Sequence, residues 1–486
     1  MSLTSALSIA QSALLNTSRQ TNVVSRNVSE AQNPDYTRRS AVTVTTATGA
    51  RVTQIQRATN DVLFRQNLSA LSSFTAQRTL AGEMDRLNLA VNGAESATSP
   101  ATILGKFQEA LQTFSASPSN GTLAENAVQA ARQLVSNLNS SSQQIQSFRA
   151  ETDSQIASAV GELNTLLSDF EKVNREIVAG TKLGRDVNDA LDQRDALLKR
   201  VAEYVPVSTI QRGDNDLALV TASGTMLFDS VARPVTFEPK TAHAPGVAGN
   251  AIYVDGVPMI AGSGGNTSAS GKLAAMVQLR EDVAGGMQAQ LDEIARGMIT
   301  AFAESDVNGV LPDRAGLFTW PGGPALPASG TLINGLASSI TINAAFDTTQ
   351  GGNPLLLRDG GANGADYVAN QTGAASYSQL LLRFQGQMEA PMAFDPAAGL
   401  SSSTSISQYS TGAVSWLESL RQQSSVAAEN KAALLTRTDA ALSNMTGVNI
   451  DEELSLLLEL EHTYEASARL LATIDSMLKT LIDTVR

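Results

Sequence analysis

Two histidines, no cysteine and a scatter of paired carboxylates are the side chains through which this 486-residue chain could do chemistry. A zinc site needs two His at i and i+4, or comparable ligands converging on one point. His243 stands in Thr-Ala-His-Ala-Pro and His462 in Glu-His-Thr-Tyr-Glu, neither with such a partner. The Gly-rich run before Lys272 invites a phosphate-binding loop. Asn266 replaces the first Gly of that motif, and Leu273 follows the Lys where Ser or Thr is needed. Asp214-Asn215-Asp216 and Asp306-Val307-Asn308-Gly309 each lack the remaining ligands of a calcium loop. Asp192 and Asp195 read as helix-face charges near Arg194. No nucleophile stands beside a base. The expectation is no enzyme, no cofactor and no metal, and the lack of Cys excludes disulfides and thiolate sites.

Charge narrows the partners. The net charge of −13 argues against nucleic acid, whose affinity comes from Lys and Arg on phosphate, and against an anionic membrane surface. The N-terminal region is locally basic, with Arg19, Arg26, Arg38, Arg39, Arg51 and Arg57. It could meet an acidic surface on a neighbouring subunit; the simpler reading is a solvated helix face. No run approaches the roughly 18 apolar residues of a membrane span. Met1-Ser2-Leu3-Thr4-Ser5 has neither a basic n-region nor a hydrophobic h-region, so a Sec signal is not expected. The default is cytoplasmic, unless a signal-independent route exports the chain.

The elements themselves carry the strongest pattern. At the start, Leu3, Leu7, Ala10, Leu14, Thr17, Thr21, Val24 and Val28 alternate at spacings of four and three. At the finish, Leu457, Leu460, Tyr464, Ser467, Leu471, Ile474, Leu478 and Leu481 do the same. That spacing draws one stripe along a helix, the seam a coiled-coil partner fills. A helix of roughly 27 residues is about 40 Å long and needs another long helix to cover its stripe. The candidates are the other terminus and copies of the same chain. The plainer alternative is a terminal helix packed on its own domain. The N-terminal stripe is weak, with Ala and Thr at half its positions, and is expected to order only on packing.

Between the ends, residues 2–30 read as helix, 39–57 as extended and 58–92 as helix. Pro100 opens a helix to about 116, and a very long helical pattern runs from about 122 to 178. A short helix follows at 186–203. At Pro206 the period changes to short strands, with Asp255-Gly256 as a hairpin signal. A helix at 271–304 interrupts, and 306–400 reads as loops, short strands and a mobile surface. Helices resume from 405 to 443 and again after a turn at Asn444–Asn449. Aromatics are only 5% of the chain, which favours long helices over a deep aromatic pocket. The expected fold is mainly α with an inserted β-rich module. Residues 1–57 with 445–486 would form a terminal coiled-coil core. Residues 58–204 with 271–305 and 405–444 would form a helical rod, and 205–270 with 306–404 an outer β domain.

Specific residues then resemble a known family. Asn27-Val28-Ser29, leading to Pro34-Asp35-Tyr36-Thr37-Arg38, looks like the N-terminal motif of bacterial flagellar rod, hook and hook-associated proteins. Gly447-Val448-Asn449-Ile450-Asp451-Glu452-Glu453 and Tyr464-Glu465-Ala466-Ser467-Ala468-Arg469 resemble the paired C-terminal motif. Leu191-Asp192-Gln193-Arg194-Asp195, Tyr204-Val205-Pro206-Val207, Gly271-Lys272-Leu273 and Leu291-Asp292-Glu293-Ile294-Ala295 look like the hook-associated protein 1 sub-family. The sequence departs from the usual motif at Glu30, Asn33 and Asp35, and Asp35, where Gly is usual, would alter the turn if its φ is positive. Residues 310–400 match nothing in the family.

The resemblance implies an extracellular axial component of the flagellum at the hook–filament junction, exported by the flagellar type III apparatus without a cleaved signal. It implies as partners copies of itself, hook protein, hook-associated protein 3, and an export chaperone on the seam from Leu457 to Leu481. Assembly-interface residues would be the seam leucines, valines and isoleucine with Ala10, Tyr464, Asn27, Pro34 and Tyr36. Hook-associated protein 3 or another axial protein is the near alternative. A secreted enzyme or adhesin on a helical stalk, its site in 310–400, is the alternative of another class.

Overall fold

In the computed structural model of the chain, residues 3–46, 49–259 and 269–485 are described. Met1, Ser2 and the Asn266 of the phosphate-loop comparison lie outside the described residues. Helices dominate, in the order α1 (Leu3–Ser29), α2 (Asp61–Asn92), α3 (Pro100–Ala116), α4 (Gly121–Lys182), α5 (Asn188–Tyr204), α6 (Lys272–Gln278), α7 (Ala284–Ala301), α8 (Leu336–Ser339), α9 (Leu356–Asp359), α10 (Gln379–Glu389), α11 (Ile406–Thr446) and α12 (Ile450–Val485). The strands are short and antiparallel. The fold is mainly α with small inserted sheets, as the periodicities predict.

Two compact units divide the chain, and α2, α4 and α11 contribute residues to both. The first comprises 1–74, 162–235 and 430–486. Within it α1 packs along α12, and a hairpin of β1 (Arg39–Thr46) and β2 (Gly49–Arg57) lies against α1. Ser12 Oγ donates to the Ala50 carbonyl at 3.0 Å and anchors the hairpin. Gly49, at φ 117°, comes so close to Ser12 that an added Cβ would sit 3.1 Å from the Ser12 Cβ. A meander of β3 (Val207–Gln211), β4 (Leu217–Thr221) and β5 (Met226–Phe228) follows α5. Phe170 of α4 meets Phe228 edge-on at 5.0 Å.

The second unit comprises 75–161 and 236–429. Its core gathers Phe107, Phe302, Phe318 and Phe384, with ring centroids 4.9 to 5.7 Å apart. Thus a chain poor in aromatics concentrates them at one point, and 306–400 is tied to that point. Leu317, Phe318, Leu336, Ile340, Phe346, Leu357, Leu381 and Phe394 are all buried there. The reading of this segment as a mobile surface of loops and strands is corrected in one element. Gln379–Glu389 is a full helix whose Leu380, Leu381, Phe384 and Met388 turn inward. Its outward Gln, Arg and Gly residues hide the period. The expected helix at 271–304 is broken by a π turn at Leu279–Val283, which buries Arg280.

Candidate assembly site at the chain termini

The stripe on α1 faces inward. Ala10, Thr17 and Val24 are buried, and Leu3, Leu7, Leu14, Thr21 and Val28 are partly buried. On α12, Leu460 and Ile474 are buried, and Leu457, Ser467, Leu471 and Leu478 are partly buried. The two helices pack on each other, so the stripes are brought together within one chain. Tyr464 and Leu481 are left out, 49% and 54% exposed. For Leu481, the last position, the heptad drift of about 20° per repeat on a straight helix carries the stripe away from the contact; nothing in the structure explains the exposure of Tyr464.

At the top of this seam sits a polar node. Asn27 is fully buried with all four side-chain hydrogen-bonding positions filled. Its Nδ2 donates to the Arg39 carbonyl at 2.8 Å and to Glu453 Oε2 at 2.9 Å. Its Oδ1 accepts from the Tyr36 hydroxyl at 2.8 Å and the Arg39 N–H at 3.1 Å. Arg38 completes the node, its Nε on Glu453 Oε1 at 2.6 Å and its N–H on the Thr446 carbonyl. Burial raises the Tyr36 phenol above its ordinary range, against the opposing pull of Arg39, whose guanidinium lies 4.8 Å over the ring. Asn27 and Tyr36 are therefore buried inside the chain, while Pro34 is exposed in the turn. That turn is built by Asn33, whose Oδ1 accepts from the Asp35 N–H at 3.1 Å, and Asp35 keeps a negative φ.

The acidic row on α5 was visible only as solvated charge in the sequence, and the structure corrects that reading. Asp189, Asp192 and Asp195, three residues apart, take up the N-terminal arginines of the same chain. Arg26 and Arg39 bond Asp189; Arg39 and Arg57 bond Asp192, both at 2.9 Å; Arg57 reaches Asp195 at 2.6 Å. Thr37 Oγ1 adds a bond to Asp192 at 2.6 Å. Burial alone would raise the Asp189 carboxyl, but its bonds to Arg26 and Arg39 hold it below the usual range. Arg194 turns the other way, donating to Asn174 Oδ1 and the Asn215 carbonyl, and burial lowers it to about 10. The only sequence signal for this arrangement was the coincidence of a basic arm and an acidic helix face.

The other chemistry-bearing residues resolve into structure. Asp306 accepts from the N–H groups of Asn308, Val310 and Leu311 at 2.8 to 3.0 Å, which organises its loop. Asp214 and Asn215, both at φ 59°, turn the β3–β4 hairpin. His243, which has no partner motif in sequence, is paired with buried Asp153 at 3.1 Å, and burial lowers its pKa. His462 is exposed on α12. Among the described residues no group of three or more His, Asp or Glu could hold a metal, and no helix is long and apolar enough to cross a membrane.

Comparison with known proteins gives a consistent picture. A family model described as "Flagellar hook-associated protein FlgK helical domain" matches residues 84–317, and one described as "Flagellar basal body rod FlgEFG protein C-terminal" matches 441–484. The chain is 22% identical over 405 residues to flagellar hook-associated protein 1 of Bacillus subtilis, covering 79% of this chain and 75% of that protein. It is 24% identical over 251 residues to flagellar hook-associated protein 1 of Salmonella typhimurium, covering 49% of this chain and 44% of that one. The solved structure of the flagellar hook junction protein FlgK from Burkholderia pseudomallei matches its fold with a TM-score of 0.56 at 13% identity. That match covers 78% of this chain and 99% of the other.

Proposed function

The chain belongs to the flagellar hook-associated protein 1 family, and we propose that it joins hook to filament by packing its terminal helices against those of neighbouring copies. It is a structural component of the flagellum. Its direct partners are copies of itself, hook protein on one side and hook-associated protein 3 on the other, with an export chaperone on α12 beforehand. It acts outside the cell, reached through the flagellar export route, and has no catalytic role.

One observation carries this reading. After α1 fills one side of α12, a second side keeps Leu456, Leu470, Met477 and Leu481 at 36% to 54% exposure. A helix that is half covered within its own chain and apolar on the remaining side suits an axial subunit, whose contacts repeat around a tube without closing on themselves. The node around Asn27 supports it further by setting the angle at which α1 enters α12.

Deleting residues 457–481 tests the proposal. Incorporation at the hook–filament junction, seen by immunolabelling, should be lost together with motility. A truncated chain that still joins the structure would overturn it.

A further inference from the structure

Both terminal helices carry a second stripe at spacings of four and three. On α12 it runs Glu452, Leu456, Glu459, Thr463, Ala466, Leu470, Thr473, Met477, and every member is exposed. Its middle, from Glu459 to Leu470, is an open face of the helix lined by His462, Thr463, Ala466 and Ser467. On α1 it runs Gln11, Leu15, Ser18, Asn22, Ser25, also all exposed, with Leu15 at 68%.

Charge separates the two stripes. In residues 1–57 there are six arginines against Glu30 and Asp35. Arg26, Arg38, Arg39 and Arg57 are paired within the chain. Arg19 and Arg51 remain exposed and make no ion pair among the described residues. Arg19 lies against β2, its Nη1 3.5 Å from the carbonyl of Val52, while Arg51 stands on the other face of that strand from buried Val52. On α12, Glu453, Glu465 and Asp475 are paired with Arg38, Arg469 and Lys479. Glu452 and Glu459 are not, and both lie on the outer stripe.

We infer that the Leu15–Arg19 face of α1 docks antiparallel onto the Glu459–Leu470 face of α12 of a second copy. This rests on the self-assembly proposed above and names its contact. Arg19 then stands opposite Glu459 and Leu15 opposite Thr463. The two surfaces differ, so the contact is head-to-tail and can repeat around a tube. Opposite charges set the register, while the apolar residues supply the buried area.

The absence of Cys from the chain makes the test clean. Leu15→Cys and Thr463→Cys are prepared as separate full-length variants, tagged differently, mixed under mild oxidation and analysed by non-reducing gel and mass spectrometry. The expected product is a disulfide-linked heterodimer, formed about tenfold faster than either homodimer. Adding Arg19→Glu to the Leu15→Cys chain should slow it about tenfold, and Glu459→Arg on the other chain should restore it. Homodimers at equal rate, or a heterodimer indifferent to the charge changes, would overturn the contact. Light scattering of the cysteine-free chain, with and without residues 457–481, is run beside it. If that chain assembles only with the segment present, a failed cross-link condemns this contact alone. If neither form assembles, self-assembly and the contact fall together.

Discussion

Asn27 shows how one side chain can define a junction. Removing it by Asn27→Ala orphans the Tyr36 hydroxyl, the Arg39 N–H and carbonyl and one oxygen of Glu453, at a buried position. Each unsatisfied buried group costs about 1–3 kcal/mol, so with four of them a loss of at least about 4 kcal/mol is expected in urea unfolding. Asn27→Asp is more telling. It sets a carboxylate against Glu453, so its deficit should shrink as pH falls and one of the two takes up a proton. A deficit independent of pH would show that Glu453 is not the partner that matters. Asp292 offers a second residue-scale test. Burial raises its carboxyl to about 6, despite bonds from Gln288 and from the N–H groups of Gly335 and Ala337. The folded chain thus holds this proton where the unfolded chain, with a pKa near 3.9, has released it. Its contribution is present below about pH 4 and lost as pH rises through about 6. Asp292→Asn should flatten stability against pH across that window, and an unchanged slope would refute the assignment.

Among the elements, α12 separates monomer stability from assembly. Leu460→Ala and Ile474→Ala empty buried positions on the α1 side and should each cost about 2–4 kcal/mol in thermal unfolding of the monomer. Tyr464→Ala acts on an exposed side chain and should change that stability by less than about 0.5 kcal/mol while still weakening assembly. If Tyr464→Ala destabilised the monomer as much as Leu460→Ala, the placement of Tyr464 outside the α1 contact would be wrong. The helix α10 gives a matching test in the other unit. Phe384 stacks 4.9 Å from Phe302, and Phe384→Ala should cost about 3–5 kcal/mol, which a mobile surface segment would not. The acidic side of α5 belongs at this scale too, because three spaced carboxylates hold the arm from Arg26 to Arg57 as one body.

For the whole molecule, hydrogen exchange reads the difference between packing within a chain and packing between chains. In the monomer, residues 461–485, mostly exposed, should exchange faster than 122–178, whose inner residues are buried along the helix. On assembly the slow and fast regions should converge; equal protection from the start would remove the need for a partner. The sequence by itself determined the long helices α1, α2, α4, α11 and α12, because apolar period, Pro and Gly are local signals. It also determined the two terminal stripes, and the Asn27, Pro34 and Tyr36 motif was plain as letters. Only the tertiary structure decided what those letters bond. Asn27 meets Glu453 across 426 positions of chain, and no local period encodes such a pair. The same holds for the Arg–Asp pairs on α5, where charge in sequence reads equally well as a solvated face. It holds for 306–400, whose helix α10 and buried phenylalanines are held by contacts distant in sequence and leave only a faint period of their own.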